Sequence, residues 1–523
     1  MMRIVLDISK SHLLYTRSLL PWLSITSISF PTLKHTFLKP FTLDEALNGA
    51  GVVKCMAMDK AAGSNTAHVR GKKADIFSLI DGKFYPPLAF GNLIDEVYAN
   101  LLKGKRYREV MPLAGRTFYP TPKDETRELH KSILFDDDWY ARPSWENMPD
   151  FRVKDARIFF QSGLEDLCVS KMLLAPFQDF FQRYPVDTAC GLGIDPTSRA
   201  WDELFVRLTK PNRFNKSVDV LWLDYEKYDS TVSATLLRAA GLVLITMAQK
   251  CGWSDAEVTA LRSLMTSYET LEVDVFGSIA EFEGIASGRS CTTLMGGLCN
   301  ILVQAYAGAK ARTKGGDIEP NEAVRTLFDE VGICTYSDDL ISGVPCSLDD
   351  YPIYLRAISE CGLKVTRGDK GSGNIGPVPI SIAEFIGRRF VPSKDGVSAP
   401  LRMEAMANIL NYRDPGRIAQ ENEYFACVVE QMLGEFSLHP KSVFDAAQRS
   451  LQAIAGNLGV RMPLKSQDAY HSDVRDGAIR LLTTLTSDET SVEISVDAMT
   501  RARKDKAYVI QGDGGKQITI QGQ

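Results

Sequence analysis

Acidic side chains interrupt apolar, strand-like sequence at residues 333–343, ICTYSDDLISG. Asp338 and Asp339 stand side by side there, and the apolar residues on both sides predict a strand, a turn and a second strand. Adjacent carboxylates repel each other unless a cation or hydrogen-bond donors neutralise them. The segment alone is compatible with a divalent metal site and with a solvated acidic loop. The runs 136–138 and 349–350 fit the second interpretation.

A second acidic pair, Asp224 and Asp229, lies in DVLWLDYEKYDSTVS, residues 219–233, which we predict to be a strand with Asp224 at the end of its apolar run. If this strand faces the 338–339 hairpin, its aspartate completes a site for two divalent ions about 3.5–4 Å apart. Magnesium is the expected ion, because it prefers carboxylates together with phosphate oxygens and water. Phosphoryl or nucleotidyl transfer is the chemistry that needs this arrangement.

Small and hydroxyl-bearing residues lie between the two acidic segments. The loop 284–288 leads into a long apolar helix, and the hydroxyls of Ser287, Thr292 and Thr293 stand at or before the helix start. Such loops and helix N-termini suit contacts with sugars and phosphates. The same pattern fits a plain Ser/Thr cap over a core helix, and these residues alone favour that alternative.

Composition limits the class of protein. The chain has 523 residues, of which 45% are hydrophobic and 24% charged, so we expect two or three subdomains with sizeable cores. Ten cysteines without a CxxC pair and six dispersed histidines indicate a reducing compartment and no zinc site. The net charge of −5 argues against a basic coat, but cationic residues cluster in the first 220 positions and permit a local basic channel.

Apolar periodicity predicts the larger elements. Strand-like and helix-like stretches alternate up to about residue 390, and residues 400–460 are mostly helical in pattern. We therefore predict a mixed α/β body with a helical C-terminal part. Residues 11–30 are apolar, but Arg17 and Pro21 interrupt them, so no transmembrane segment is predicted.

Taken in chain order, these segments resemble the motifs of the viral RNA-dependent RNA polymerases of the picornavirus–calicivirus supergroup. The resemblance spans residues 40–392, and the order and spacing of the motifs make it specific. The matching segments are LDEALNG to GKKADI (43–76, the motif G region), KDETRELHK (123–131) and VKDARIFFQS (153–162) for motif F, GLGIDPTSRAW (191–201), LDYEKYDST (223–231, motif A), GIASGRSCTT (284–293, motif B), TYSDD (335–339, motif C), GLKVTRGDKG (362–371, motif D) and EFIGRRF (384–390, motif E).

The resemblance implies an α+β fold shaped as a closed right hand, with fingers, a palm built on an antiparallel sheet, and a helical thumb. The division that it implies is residues 1–190 for the fingers with an N-terminal strap, 191–235 for the palm with motif A, 236–283 for a fingers insertion, 284–392 for the palm with motifs B to E, and 393–523 for the thumb and C-terminal tail.

The resemblance also implies roles for the acidic residues. Asp224 and Asp338 would hold two Mg²⁺ ions, with Asp339 as a supporting acid and Mn²⁺ as a substitute ion. Asp229 and Ser287 would recognise the ribose of the incoming nucleotide through its 2′-hydroxyl, the group that distinguishes RNA precursors.

Cationic residues receive roles in the same way. Lys123, Lys131 and Arg157 would contact the triphosphate, and Thr292 would also lie in the nucleotide site. Lys370 would be the general acid that protonates the pyrophosphate leaving group. The implied activity is template-directed RNA synthesis. Its partners are the RNA template, the nascent RNA and ribonucleoside triphosphates, with other viral replication proteins as further candidates. The implied location is a replication complex in the host cytoplasm, or the virion if the genome is double-stranded.

Two positions in motifs B and C depart from the family pattern. Ser337 stands where the family usually has glycine before the paired aspartates. Gly296 stands nine residues after Ser287, where the family normally has the asparagine that helps to bind the sugar. Asn300, one helical turn further on, is a hypothetical substitute for that asparagine.

Two rival functions are compatible with parts of the pattern. Residues 336–339, YSDD, also fit the YxDD pattern of reverse transcriptases. Those enzymes generally carry a bulky aromatic where this chain has Asp229, and Tyr228 is expected to face the other way on a strand, so RNA synthesis is favoured. The second rival is a catalytically silent, polymerase-shaped RNA-binding scaffold, to which the missing motif B asparagine gives some weight.

Overall fold

The computed structural model describes residues 38–56, 73, 76–105, 110–116, 157–160, 162–214, 216–275, 278–314, 320–369, 374–393, 396–403, 406, 421–457, 465–479, 508–511 and 517–520. Its helices are α1 (Leu43–Asn48), α2 (Leu88–Leu102), α3 (Leu164–Arg183), α4 (Arg199–Leu208), α5 (Tyr228–Thr231), α6 (Ala234–Lys250), α7 (Asp255–Glu269), α8 (Thr292–Arg312), α9 (Pro320–Glu330), α10 (Tyr351–Glu360), α11 (Glu421–Phe436), α12 (Lys441–Asn457) and α13 (Gln467–Arg475). Its strands are β1 (Ser78–Ile80), β2 (Lys83–Tyr85), β3 (Val110–Arg116), β4 (Arg157–Phe160), β5 (Asp219–Tyr225), β6 (Leu271–Val275), β7 (Ser278–Phe282), β8 (Ile333–Tyr336), β9 (Asp339–Gly343), β10 (Val365–Arg367), β11 (Val378–Pro379), β12 (Glu384–Phe385), β13 (Arg388–Arg389), β14 (Val391–Ser393), β15 (Gly396–Ser398), β16 (Tyr508–Gln511) and β17 (Gln517–Ile520).

A five-stranded antiparallel sheet organises the region that carries the two acidic segments. Its strands follow the order β10–β5–β9–β8, and β11 also pairs with β5. Alternate residues of β5 face different cores. Leu221 and Leu223 are buried in the largest core, whereas Val220 is buried in the core around Trp201 of α4 and the half-buried Trp222 packs against it. Burial of both faces is the reason why this strand is a continuous apolar run in the sequence.

Helix α8 is the main support of the largest core and packs against α6, α9, α10 and β8. Most of its residues from Thr292 to Ala311 are buried, as expected of a segment composed mainly of apolar and small residues. A second sheet has the strand order β4–β3–β6–β7, in which only β3 and β6 are parallel. That sheet joins strands from residues 110–160 with strands from residues 271–282.

The helices α11 to α13 form a core of their own, which includes Phe436, Phe444 and Tyr470. A buried ion pair attaches this helical part to the β12–β13 hairpin. The guanidinium of Arg388 donates to both carboxylate oxygens of Glu435 at 2.7 and 2.9 Å, and the two side chains are 1% and 0% exposed. Arg388 also donates to the carbonyl of Ala399 at 2.8 Å, so both buried charges are well satisfied.

The structure corrects one local prediction. The strand predicted over residues 219–233 ends at Tyr225, because Lys227 adopts a left-handed backbone conformation with φ of 52° and residues 228–231 form the short helix α5. Tyr228 is buried and Asp229 is exposed, so the two side chains do face different ways, but a helical turn and not strand alternation separates them.

The chain divides into two compact units, residues 1–484 and residues 485–523, and the second contains the hairpin formed by β16 and β17. The finer five-part division remains a prediction. Within the described ranges, no helix is both long enough and apolar enough to cross a membrane.

Candidate active site

Asp224 lies at the end of the central strand of the five-stranded sheet. It is the last residue but one of β5, it pairs with Thr366 of β10, and it is 9% exposed. Its Oδ1 accepts a hydrogen bond from the backbone N–H of Tyr225 at 2.9 Å. The apolar residues of β5 therefore fix the backbone under this carboxylate, which is buried at the point where the strand ends.

The second acidic segment forms the predicted hairpin. Tyr336 at the end of β8 pairs with Asp339 at the start of β9, so Ser337 and Asp338 form a two-residue loop. Asp338 is exposed and Asp339 is half-buried. Ser337 has φ of 53°, in the left-handed region that glycine adopts most readily, which explains the family's preference for glycine at this position.

The pairing of β5 with β9 brings the two acidic segments together. Leu223 pairs with Leu340, so the next residue of β5, Asp224, lies at the same end of the sheet as Asp339 and the loop with Asp338. Among the residues that the structure describes, no three His, Cys, Asp or Glu side chains converge closely enough to hold a metal ion by themselves. Phosphate oxygens and water would therefore have to complete the coordination of an ion at these carboxylates.

The predicted ribose-binding residues contact each other. The Ser287 hydroxyl donates a hydrogen bond to Oδ2 of Asp229 at 2.8 Å, and both groups are accessible to solvent. The backbone N–H of Ile285 donates to the Asp229 carbonyl at 2.7 Å, which ties the loop 284–288 to α5. The short helix and the loop thus present one hydroxyl and one carboxylate as a unit next to the end of β5.

The same loop is held against β4, the strand that lies within the second half of motif F. The backbone N–H of Phe160 donates to the Ser287 carbonyl at 2.8 Å. Gly288 has φ of 105°, and a Cβ there would lie 2.1 Å from the Phe160 carbonyl oxygen, so only glycine fits. Arg157 begins β4, where its backbone pairs with Arg116. Lys123, Lys131 and Lys370 lie outside the described residues.

A buried ion pair anchors the motif B loop to α3. The sequence did not predict this pair. Arg289 donates to Oδ1 of Asp166 in α3 at 2.9 Å, and the two side chains are 2% and 0% exposed. The guanidinium also lies 3.7 Å from the ring centroid of Tyr268 and donates to the carbonyl of Ser267 at 2.7 Å. The sequence signal for this pair was an arginine within a segment of mostly small and apolar residues, because a buried charge needs a partner of opposite charge.

A buried polar network, also missed, connects three of the motifs. The amide of Asn300, which is fully buried, donates to the Ser337 carbonyl at 3.0 Å and accepts from the Tyr225 hydroxyl at 2.9 Å. Gln304 donates to the Tyr225 hydroxyl at 2.8 Å and accepts from Tyr354 of α10. Burial raises the pKa of Tyr225, so its hydroxyl stays protonated and remains a donor.

These contacts favour a positioning role for Asn300 over the predicted nucleotide contact. We expect Asn300→Ala to destabilise the protein by about 2 kcal/mol, because it leaves the Tyr225 hydroxyl with a lost acceptor in the interior. The ratio of ribonucleotide to deoxyribonucleotide incorporation should stay within about twofold, because the hydrogen bonds of the Asn300 amide are made to protein groups. Thermal unfolding and single-nucleotide incorporation measure the two effects, and a ratio that collapses would restore the original hypothesis.

Comparison with known proteins places this geometry in a family. The family model described as "Viral RNA-dependent RNA polymerase" matches residues 152–446, more than half of the chain. The chain is 29% identical over 257 residues to the genome polyprotein of Canine calicivirus (strain 48), and 28% identical over 244 residues to that of Vesicular exanthema of swine virus. These alignments cover 48% and 45% of this chain, which spans only 12% of the length of each polyprotein.

The fold comparison agrees. The structure described as "Sicinivirus 3Dpol RNA dependent RNA polymerase" superposes with a TM-score of 0.56 at 14% identity, covering 84% of this chain and 83% of that one. This similarity confirms the predicted α+β polymerase fold. Taken with the family match over residues 152–446, it confirms the resemblance inferred from the motifs: the chain belongs to the viral RNA-dependent RNA polymerases.

Proposed function

We propose that this chain synthesises RNA on a viral RNA template from ribonucleoside triphosphates by two-metal nucleotidyl transfer. The observation that carries the proposal is the placement of Asp224 and the 338–339 pair at the same end of one antiparallel sheet. The hydroxyl of Ser287 and the carboxylate of Asp229 lie beside them as a hydrogen-bonded unit. Acidic groups for cations and polar groups for a ribose are the two sets that this reaction requires.

Polymerases of this family generally use divalent metal ions. We propose Mg²⁺, with Mn²⁺ as a substitute, held by Asp224 and Asp338 with Asp339 as a supporting acid. The donor set fits, because Mg²⁺ is commonly held by one or two carboxylates while phosphate oxygens and water complete its shell. When bound, two such ions supply charge neutralisation at the attacking and leaving oxygens. Asp338 is exposed at the tip of the loop, so a triphosphate could approach it from solvent, whereas Asp224 is 9% exposed at the end of β5.

The cationic residues complete the proposal. Lys123, Lys131 and Arg157 would neutralise the triphosphate, and Lys370 would protonate the pyrophosphate as it leaves. The bond from Phe160 to the Ser287 carbonyl supports the role of Arg157, because it places β4 next to the ribose-binding loop. Thr292 is only 9% exposed at the start of α8. A contact with the nucleotide would therefore involve the loop that precedes the helix more than the Thr292 hydroxyl.

We expect Ser287→Ala to weaken the preference for ribonucleotides over 2′-deoxyribonucleotides about tenfold, the value of one hydrogen bond of about 1.4 kcal/mol. The physical reason is that the Ser287 hydroxyl orients the Asp229 carboxylate, which would accept a hydrogen bond from the 2′-hydroxyl of the ribose. Paired incorporation rates with ribo- and deoxyribonucleotides measure the change. Ser290→Ala is the matched control, because that hydroxyl contacts the Cys291 thiol and not Asp229. An equal loss in both variants would contradict the assignment.

Primer extension on a homopolymeric RNA template with Mg²⁺ or Mn²⁺ tests the proposed function directly. Incorporation of ribonucleotides that depends on the template supports it. Preferential incorporation of deoxyribonucleotides would instead support a reverse transcriptase, and absence of any product under both ions would support a silent scaffold. Reverse transcriptases generally carry an aromatic residue where this chain has the exposed Asp229, and this difference favours ribonucleotides.

A viral replication context in a host cell is consistent with the family. We propose that the protein works in replication complexes of the host cytoplasm with template RNA, nascent RNA and other viral replication proteins. If the genome is double-stranded, the same activity would be located within the virion.

A further inference from the structure

Two residues that depart from the family pattern meet in the structure. Ser337, in the motif C loop, has a left-handed backbone that disfavours any side chain with a Cβ. Gly296 lies within the first two turns of α8, where glycine is less favourable than alanine. Each residue type is unfavourable for the backbone conformation that it adopts. Such a local conflict suggests that a tertiary contact compensates for it.

The contact is between these two residues. A Cβ added at Gly296 would lie 2.5 Å from Oγ of Ser337 and 3.3 Å from its Cα, with Cδ1 of Ile285 at 3.2 Å. The side chain of Ser337 therefore occupies the space that a side chain at 296 would need. Where the family has glycine in the loop and asparagine in the helix, this chain has the larger residue in the loop and the smaller one in the helix.

We propose that Ser337 and Gly296 are a size-matched pair of positioning residues that sets the height of the motif C loop, and hence of Asp338, above helix α8. The consequence for catalysis rests on the proposed RNA synthesis, whereas the packing consequence does not. The two departures from the family then have one physical cause. A side chain at 296 alone would overlap with Ser337, and glycine at 337 alone would leave a gap at the same place.

Hydrogen bonds near the contact hold the hairpin against the helix and hold the helix in place. Asn300 donates to the Ser337 carbonyl at 3.0 Å from one helical turn beyond Gly296. Tyr228 donates to the Gly296 carbonyl at 2.7 Å, and Thr335 donates to the Gly297 carbonyl at 3.3 Å. A side chain at 296 must therefore turn the Ser337 hydroxyl aside and press against the Ser337 Cα at 3.3 Å, and the next residue in the chain is Asp338.

A double-mutant cycle tests the pair in the full-length protein. We expect Gly296→Ala to lower kcat for nucleotide addition about tenfold, which corresponds to about 1.4 kcal/mol, with the nucleotide KM within about twofold. Its midpoint of thermal unfolding should fall by about 2–4 °C. Ser337→Gly alone should keep activity within about threefold, and the double variant should regain most of the kcat and of the midpoint.

Gly297→Ala is the matched control on the same helix. A Cβ at Gly297 would meet Sγ of Cys190 at 3.2 Å and Oγ1 of Thr335 at 3.5 Å, and the Ser337 backbone nitrogen would lie 3.8 Å away. Ser337→Gly should therefore leave the defect of this variant in place. The proposal is overturned if Ser337→Gly fails to rescue Gly296→Ala, if it rescues Gly297→Ala equally, or if Gly296→Ala has no defect. If the wild type is inactive, the proposed RNA synthesis is refuted but the proposed pair is not. The thermal midpoints of the variants still measure the coupling between residues 296 and 337.

Discussion

Asp338→Asn is expected to lower template-directed nucleotide addition by about 1,000-fold or more, with little change in folding. The substitution keeps the size of the side chain but removes the negative charge that would hold a divalent ion at the tip of the β8–β9 loop. Stability should change little because Asp338 is exposed. Primer extension with Mg²⁺ measures the rate, and the thermal midpoint measures folding.

The chain supplies a control of the same chemistry. Asp349 belongs to another pair of adjacent aspartates, it is exposed, and it lies just before α10. Asp349→Asn should retain the activity of the wild type. If Asp338→Asn keeps even a tenth of the wild-type rate, the acidic loop does not hold the reacting cations, and the proposed mechanism is wrong.

Glu435→Ala is expected to lower the free energy of unfolding of the helical C-terminal part by about 3–5 kcal/mol. Removing this carboxylate leaves the guanidinium of Arg388, which is 1% exposed, buried without its main partner between α11 and the β12–β13 hairpin. Urea unfolding followed by fluorescence measures the loss. Its transitions should be fitted separately, because a chain of this size need not unfold in one step.

The neighbouring residue of the same hairpin offers the comparison. Arg389 forms an ion pair with Glu384 at 3.2 Å, and its side chain is 56% exposed. Glu384→Ala should therefore cost no more than about 1 kcal/mol. Replacing Arg388 and Glu435 together by methionine and leucine should restore much of the stability, because a buried ion pair gains little over well-packed apolar residues. Equal losses in Glu435→Ala and Glu384→Ala would contradict the assigned burial.

Much of the fold was predictable because its signals are local. The apolar run of β5 and the apolar residues around the acidic pair predicted a strand and a hairpin, and both are present. The boundary after Tyr225 was missed because the left-handed Lys227 has no mark in the sequence. The family resemblance assigned Ser287 and Asp229 to the same ribose, and in the structure the Ser287 hydroxyl donates to Asp229 at 2.8 Å.

The sequence by itself determined the order of the motifs, the α+β class, the identity of the acidic and hydroxyl-bearing residues, and the family. Only the tertiary structure decided which distant residues meet. The register of β5 against β9 brings Asp224 to the 338–339 loop. Arg289 pairs with Asp166, which lies 123 residues earlier, and Ser337 occupies the space next to Gly296. The physical reason is that periodicity and turn chemistry act over a few residues, whereas packing joins segments whose separation along the chain carries no information about distance.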